Sequence, residues 1–155
     1  MALLEARSIQ KVYTTRFGGN PVTALSNVSF SMEAGEYTVI MGESGSGKTT
    51  LLNILAALDR PTRGEVLLDG MNLSQIREKD IAAFRRDHLG FVFQDFNLLD
   101  TFSLRDNIFL PMVLAGKNFE EMNQRLIPIA KKLDIVNILD KYPDEVSGGQ
   151  RKRVG

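Results

Sequence analysis

The sequence predicts an α/β protein with an N-terminal antiparallel β part, a parallel-sheet core and a helical part. Three observations support this class: β-type runs open the chain, a glycine-rich loop joins an apolar run to a helical pattern, and helical patterns dominate the second half. With 155 residues and 43% hydrophobic content, one domain can bury a sizeable core. The absence of cysteine excludes a disulfide scaffold and cysteine-based catalysis. Because 19 basic residues balance 19 acidic ones, no nucleic-acid partner is expected.

The first elements are predicted as antiparallel strands. Residues 3–13 and 22–32 are β-type runs separated by Phe17-Gly18-Gly19-Asn20-Pro21, whose residue types favour turns, so we expect a hairpin. Residues 65–68 form a further short run that ends at Asp69-Gly70, a dipeptide typical of hairpin turns. These three runs make up the predicted β part.

The predicted core alternates strands and helices. Residues 37–41 and 89–93 are short apolar runs, typical of strands buried on both faces of a parallel sheet. Between them, apolar residues recur at helical spacing over 51–58, until Pro61, and again over 81–85. The apolar run over 51–58 is far shorter than the roughly 20 residues that span a bilayer, so the chain is not expected to cross a membrane.

Two capping patterns predict where the helices of the second half begin. Ser103 is followed three residues later by Asp106, and Asn118 is followed in the same way by Glu121. In such a pair, the first side chain can accept a hydrogen bond from the backbone of the first helical turn. We therefore expect one helix to start after each pair.

The strongest chemical signal is the loop over 42–49, which reads Gly-Glu-Ser-Gly-Ser-Gly-Lys-Thr and fits the pattern Gly, four residues, Gly, Lys, Ser/Thr. Its backbone N–H groups and the following helix start would cradle a polyphosphate. We expect Lys48 to reach the β- and γ-phosphates as a catalytic residue, and the Thr49 hydroxyl to bind Mg²⁺. The predicted nucleotide-binding residues are Gly42, Glu43, Ser44, Gly45, Ser46, Gly47, Lys48, Thr49 and Thr50.

The loop alone leaves the class of phosphate chemistry open, because kinases, small GTPases, helicases and transport ATPases share it. The segment 87–90 formally matches the Asp-x-x-Gly switch of GTPases, but it follows a polar helical stretch instead of closing a strand. The segment 131–134 lacks the full guanine-reading pattern. GTP is therefore disfavoured.

The deciding feature is Val146-Ser147-Gly148-Gly149-Gln150, taken together with Phe93-Gln94 at the end of a predicted strand. With these motifs the sequence resembles the ABC transporter ATPase family. The resemblance covers essentially the whole chain and four motifs in order: Tyr13, the loop over 42–49, Gln94, and the signature over 147–150.

The resemblance implies a P-loop NTPase fold of the ABC ATPase type, with the C-terminal part of its core absent. The chain would be one incomplete nucleotide-binding domain over 1–155. Residues 1–98 would hold the β subdomain and the P-loop core, 99–146 the helical subdomain, and 147–155 the signature and the start of its helix.

The resemblance also implies roles for residues outside the loop. Tyr13 would stack on adenine, although an aromatic residue in a strand is often a core residue. Gln94 would contact Mg²⁺ or the attacking water, as a catalytic and metal-binding residue. Ser147, also a catalytic residue in this reading, would contact the γ-phosphate of ATP held by another subunit, together with Gly148, Gly149 and Gln150.

Further residues resemble one branch of the family. Segments 93–99, 106–108 and 110–111 are similar to the branch that serves lipoprotein release, macrolide efflux and bacitracin-type peptide resistance, and the peptide-resistance type is favoured. The implied function is ATP hydrolysis coupled to transport, with ATP and Mg²⁺ bound. The implied partners are a second ATPase copy and a transmembrane permease, which would hold the protein at the cytoplasmic face of the membrane.

Two expected features of this family are missing from the sequence. After the signature there is no apolar strand ending in Asp-Glu and no switch histidine, and His88, the one histidine, is expected to be a half-buried packing residue. The sequence therefore predicts the N-terminal portion of a transport ATPase. The alternatives are a truncated nucleotide-binding module without turnover, or an unrelated P-loop kinase or soluble non-transport ATPase.

Overall fold

A computed structural model describes residues 2–14, 19–93 and 95–155 of the chain. The chain divides into two compact units, Met1–Gly90 and Phe91–Gly155. Each unit has its own cluster of buried apolar side chains. Within the described ranges, no helix is long and apolar enough to cross a membrane.

The first unit is built on an antiparallel sheet of four strands. Strands β1 (Leu4–Tyr13), β2 (Val22–Met32), β3 (Arg63–Leu68) and β4 (Met71–Asn72) lie in the order β2-β1-β3-β4. All three pairings are antiparallel, which confirms the predicted hairpin and the third short strand. Asp69 and Gly70 join β3 to β4 with φ of 49° and 76°, as expected for a hairpin turn whose twist matches that of its strands.

The helices of the first unit pack on this sheet. Helix α1 (Lys48–Leu55) buries Leu51 and Ile54, and helix α2 (Glu78–His88) buries Phe84. Full burial of one apolar side chain of this size contributes about 1.5–3 kcal/mol to the free energy of folding, so the burial of Leu51 and Ile54 fixes α1 on the sheet. The core they share consists of Ala6, Ile9, Leu25, Leu51, Ile54, Val66, Leu73 and Phe84.

Two expectations for the core segments need correction. Segments 37–41 and 89–93 are not strands: a strand needs a neighbour for its ladder hydrogen bonds, and neither segment has one among the described residues. Several of their apolar side chains are exposed, with Tyr37 90% and Met41 85% accessible, whereas Ile40 and Leu89 are half-buried against the core of the first unit. Helix α1 also ends at Leu55, earlier than its apolar spacing predicts.

His88 differs from the expectation as well. It is the last residue of α2 and is exposed, not half-buried. Its ring stacks on Phe84, with 4.8 Å between the ring centroids. A terminal helical position leaves one ring face to solvent while the other packs on the preceding turn.

The second unit is helical. It contains α3 (Leu104–Leu114), α4 (Phe119–Lys132) and α5 (Gly148–Val154), and short 3₁₀ turns at Val136–Ile138 and Pro143–Glu145 join the last two helices. Its core consists of Leu104, Phe109, Met122, Leu126, Ala130, Ile135, Ile138 and Leu139.

Both predicted caps are present in this unit. Ser103 Oγ accepts a hydrogen bond from the Asp106 backbone N–H at 3.1 Å, and Asn118 Oδ1 accepts one from the Glu121 N–H at 2.9 Å. These side chains satisfy backbone donors that have no partner within their own helix. The starts of α3 and α4 therefore follow from local sequence.

The loop before α3 is held by one side chain, that of Asn107. Its Oδ1 accepts a hydrogen bond from Leu99 N at 2.7 Å, and its Nδ2 lies 3.1 Å from Leu99 O, 3.2 Å from Phe102 O and 3.0 Å from Ser103 O. An amide can donate and accept at once, so Asn107 closes both ends of this loop.

Candidate nucleotide-binding site

The loop over 42–47 precedes α1 and lies against β2. Gly47 caps α1 with φ of 89°, and Gly45 has φ of 81°, a region that favours glycine. A Cβ at Gly47 would collide with the carbonyl oxygen of Ala24 and lie 2.9 Å from Leu25 Cδ2. A Cβ at Gly45 would meet nothing within 4 Å. Gly47 is therefore required by both backbone conformation and close packing.

The ammonium group of Lys48 lies over this loop. Its Nζ donates to the carbonyl oxygens of Gly42 at 2.8 Å and Glu43 at 2.6 Å, and lies 3.4 Å from Ser46 Oγ. Among the described residues, Lys48 has no carboxylate partner. Carbonyl dipoles do not neutralise a full positive charge, so the loop presents a cation that suits an anionic ligand.

The remaining loop residues offer backbone and hydroxyl groups. Thr49 is exposed in the first turn of α1, so its hydroxyl is accessible, and Thr50 is half-buried. The loop is tight at its other end, because a Cβ at Gly42 would lie 2.6 Å from Ser46 Oγ. In the part of the chain that the structure describes, no group of three or more His, Cys, Asp or Glu side chains could hold a metal ion. The residues present fit a polyphosphate with a cation bound through a hydroxyl oxygen.

Tyr13 lies at the end of β1 and is 44% exposed, so it is not a core residue. Its hydroxyl donates to Asp59 Oδ2 at 3.1 Å. Lys11 Nζ lies 5.0 Å from the centroid of the Tyr13 ring and 2.6 Å from Asp59 Oδ1. The Tyr13 ring is therefore held by two neighbours while much of it stays open to solvent.

The Asp59 carboxylate contacts both Tyr13 and Lys11. Burial raises the pKa of Asp59, but hydrogen bonds from Lys11 Nζ, the Arg60 backbone N–H and the Tyr13 hydroxyl outweigh burial and hold the pKa below its usual value. Asp59 therefore stays ionised and keeps accepting from both side chains.

Sequence reasoning missed Lys11 and Asp59. Lys11 stands two residues before Tyr13 on the same strand, and side chains two apart lie on one face, so this contact carries a local signal. Asp59 is 46 residues from Tyr13 in sequence, and no pattern in the chain relates them.

The signature residues begin α5 in the second unit. Ser147 Oγ accepts from Gln150 N at 3.2 Å, and Gln150 Oε1 accepts from Ser147 N at 3.0 Å, which is a capping box. A Cβ at Gly148 or Gly149 would meet nothing within 4 Å. There is thus free space beside the Cα atom of each glycine, and Gly149 is exposed whereas Gly148 is half-buried.

The structure brings together only some of the predicted site residues. Residues 42–50 form one continuous segment of the first unit, which also holds Tyr13, and residues 147–150 belong to the second unit. Gln94, predicted to contact Mg²⁺ or water, lies outside the described residues.

Comparison with known proteins identifies the family. Residues 25–155 match the family model described as ABC transporter. The ABC transporter ATP-binding protein YxdL of Bacillus subtilis is 50% identical over 97% of this chain and 58% of its own length. The bacitracin export ATP-binding protein BceA of Halalkalibacterium halodurans is 42% identical over 99% of this chain and 60% of its own length. The macrolide export ATP-binding/permease protein MacB of Campylobacter jejuni is 44% identical over 84% of this chain and 20% of its own length.

The chain is also similar to a solved structure of an ATP-binding cassette. The dimeric post-hydrolysis state of the ATP-binding cassette MJ0796, bound to ADP and Pi, is 35% identical, with a TM-score of 0.88 over 97% of this chain and 66% of that one. The chain spans 58% to 60% of the length of YxdL and BceA. The family match covers most of the chain, and the chain therefore belongs to the ABC transporter family.

Proposed function

We propose that this chain is the nucleotide-binding part of an ABC transporter subunit that couples ATP binding and hydrolysis to transport by a membrane partner. The observation that carries the proposal is the Lys48 ammonium, which lies over a glycine-rich loop and has no carboxylate partner among the described residues. A cation held by neutral acceptors can exchange them for phosphate oxygens without breaking an ion pair.

Different residues of the loop are proposed to bind the phosphates and the Mg²⁺ ion. When a nucleotide binds, Lys48 Nζ donates to phosphate oxygens in place of the Gly42 and Glu43 carbonyl oxygens. The Thr49 hydroxyl serves as a ligand for Mg²⁺. When bound, Mg²⁺ would act as a Lewis acid on the phosphate oxygens of ATP and so assist transfer of the γ-phosphoryl group to water. Helix α1 holds the loop in place because Leu51 and Ile54 are buried in the core.

Three further contacts complete the proposed site. Tyr13 stacks on the adenine, and Gln94 contacts Mg²⁺ or the attacking water. The signature over 147–150 contacts ATP held by a second copy, so two chains share each nucleotide. The dimeric state in which the MJ0796 cassette was solved supports this arrangement.

The proposed partner and cargo come from the named relatives. MacB is named as an ATP-binding/permease protein, which supports a transmembrane permease as the partner. BceA is named for bacitracin export, which supports export of an antimicrobial peptide or a drug. The chain would then act at the cytoplasmic face of the membrane, bound to its permease.

Isothermal calorimetry with Mg·ATP tests the nucleotide site. Lys48→Ala removes the ammonium group that would donate to the phosphate oxygens. Losing two such charge-assisted hydrogen bonds, at about 1.5–3 kcal/mol each, is expected to weaken binding by about 100-fold or more. Lys79→Ala is the matched control, because Lys79 is an exposed lysine of α2 in the same unit. Binding that is equally strong in the Lys48→Ala variant would contradict the proposal.

A further inference from the structure

Lys11, Tyr13 and Asp59, here called the Asp59 cluster, join the end of β1 to the turn that follows α1. The carboxylate of Asp59 accepts from the Tyr13 hydroxyl through Oδ2 at 3.1 Å and from Lys11 Nζ through Oδ1 at 2.6 Å. The Lys11 side chain is 13% exposed and the Asp59 side chain 31%. The ion pair is therefore shielded from water more than a typical surface pair.

The turn that carries Asp59 is bonded to α1. Backbone N–H groups of Leu58 and Asp59 both donate to the Asn53 carbonyl, at 2.8 Å and 3.2 Å. Lys11 Nζ also donates to the Arg60 carbonyl at 2.7 Å. The Asp59 cluster is thus connected through hydrogen bonds to the helix that begins with Lys48.

A second set of bonds fixes the strand end to the same segment. Thr62 N donates to the Gln10 carbonyl at 2.8 Å, and Thr62 Oγ1 accepts from Val12 N at 3.0 Å. The backbone on both sides of Lys11 is therefore tied to the chain just after Asp59.

We propose that Asp59 and Lys11 are positioning residues that hold the Tyr13 ring for a purine base. This inference rests on the proposed function, in which Tyr13 contacts adenine. Asp59 fixes the hydroxyl end of the ring, and Lys11 lies over the ring. A ring fixed before binding loses less conformational freedom when a base stacks on it, so binding is stronger. Tyr13 is not part of the buried core, so core packing does not fix the position of its ring.

The inference is tested by calorimetry with two probes, Mg·ATP and Mg·tripolyphosphate. Only the first has a base, so a positioning role affects ATP alone. Tyr13→Phe keeps the ring and loses the hydroxyl, and Asp59→Ala removes the acceptor. Each is expected to weaken ATP binding by about threefold to tenfold and to change tripolyphosphate binding by less than about twofold.

The double variant separates positioning from general damage. If Asp59 acts through the Tyr13 hydroxyl, combining Tyr13→Phe with Asp59→Ala weakens ATP binding no further than Asp59→Ala does. Asp59→Asn keeps one acceptor oxygen for Lys11 and supplies an amide N–H that can donate to the Tyr13 hydroxyl oxygen, so it is expected to retain ATP affinity within about twofold. This variant and Tyr13→Phe still decide the question if Asp59→Ala fails to fold.

Controls and outcomes distinguish this inference from the proposed function. Asp80→Ala removes a carboxylate that pairs with Arg77 at 2.6 Å in the same unit, and should affect neither probe. Additive losses in the double variant, equal losses for both probes, or unchanged ATP binding in Tyr13→Phe would overturn the inference. Loss of dependence on Lys48 would instead overturn the proposed function.

Discussion

Replacing Gly47 with alanine is expected to destabilise the first unit more than the same change at Gly45. Both residues have positive φ, 89° and 81°, and a side chain in that region costs about 1–2 kcal/mol. Only at Gly47 would the new Cβ also collide with the Ala24 carbonyl and crowd Leu25 Cδ2 at 2.9 Å. The backbone shift that relieves such overpacking costs about 1–3 kcal/mol more.

Alanine also reduces the freedom of the unfolded chain, which offsets about 0.4–1 kcal/mol at either position. The expected loss in free energy of unfolding is then about 1–4.5 kcal/mol for Gly47→Ala and about 0–1.5 kcal/mol for Gly45→Ala. Because the two substitutions share the conformational cost, their difference isolates the contact with β2.

Urea denaturation followed by circular dichroism measures both variants, with the midpoint and the slope fitted separately. Calorimetry with Mg·ATP on the same samples is expected to show a larger loss of affinity for Gly47→Ala than for Gly45→Ala. The reason is that the loop over 42–47 must move away from β2 to make room for the Cβ at position 47. Equal destabilisation of the two variants, within about 0.5 kcal/mol, would refute the argument from close packing.

Three further predictions follow from the structure. Asn107→Ala removes the hydrogen bonds that close the loop from Leu99 to Ser103. It is expected to lower the free energy of unfolding of the second unit by about 1–3 kcal/mol, measured by urea denaturation. An unchanged denaturation midpoint would contradict this. The pKa of Asp59 is lower in the folded chain than in the unfolded chain, so its ionised form stabilises the fold above the ordinary aspartate pKa of about 4. This stabilisation is lost as the pH falls through the lower pKa of the folded chain. The free energy of unfolding, measured by denaturation at neutral and at acid pH, should therefore decrease less in Asp59→Asn than in the unsubstituted chain. Ser147→Arg is expected to leave Mg·ATP affinity within about twofold by calorimetry but to block the nucleotide-bound dimer in light scattering, and dimerisation by this variant would count against a shared site.

Features set by neighbouring residues follow from the sequence alone. The Asp69-Gly70 turn needs two residues that tolerate positive φ, and the Ser103 and Asn118 caps need a side-chain oxygen three residues before its donor. The glycine-rich loop over 42–49 is equally local, because its glycines and Lys48 lie within eight consecutive residues. Each of these predictions rests on geometry that a few consecutive residues determine.

Features set by distant residues do not follow in the same way. The segment 37–41 has the composition of a buried strand, but strand formation requires a neighbour, which composition does not supply. The contact between Tyr13 and Asp59 joins residues 46 apart, through pairing of β1 with the chain after α1. Lys48 illustrates both cases. Its place in the motif is local, whereas the fold around it determines that no carboxylate of the described residues pairs with it.

Residues 42–50 are proposed to bind the phosphates of a nucleotide. Nuclear magnetic resonance with Mg·ATP added to the isotope-labelled chain tests this claim residue by residue. The largest amide shifts are expected on residues 42–50, and they are expected to vanish in Lys48→Ala but to persist in Lys79→Ala. Shifts that fall instead on the helical unit, or that survive the loss of Lys48, would contradict it.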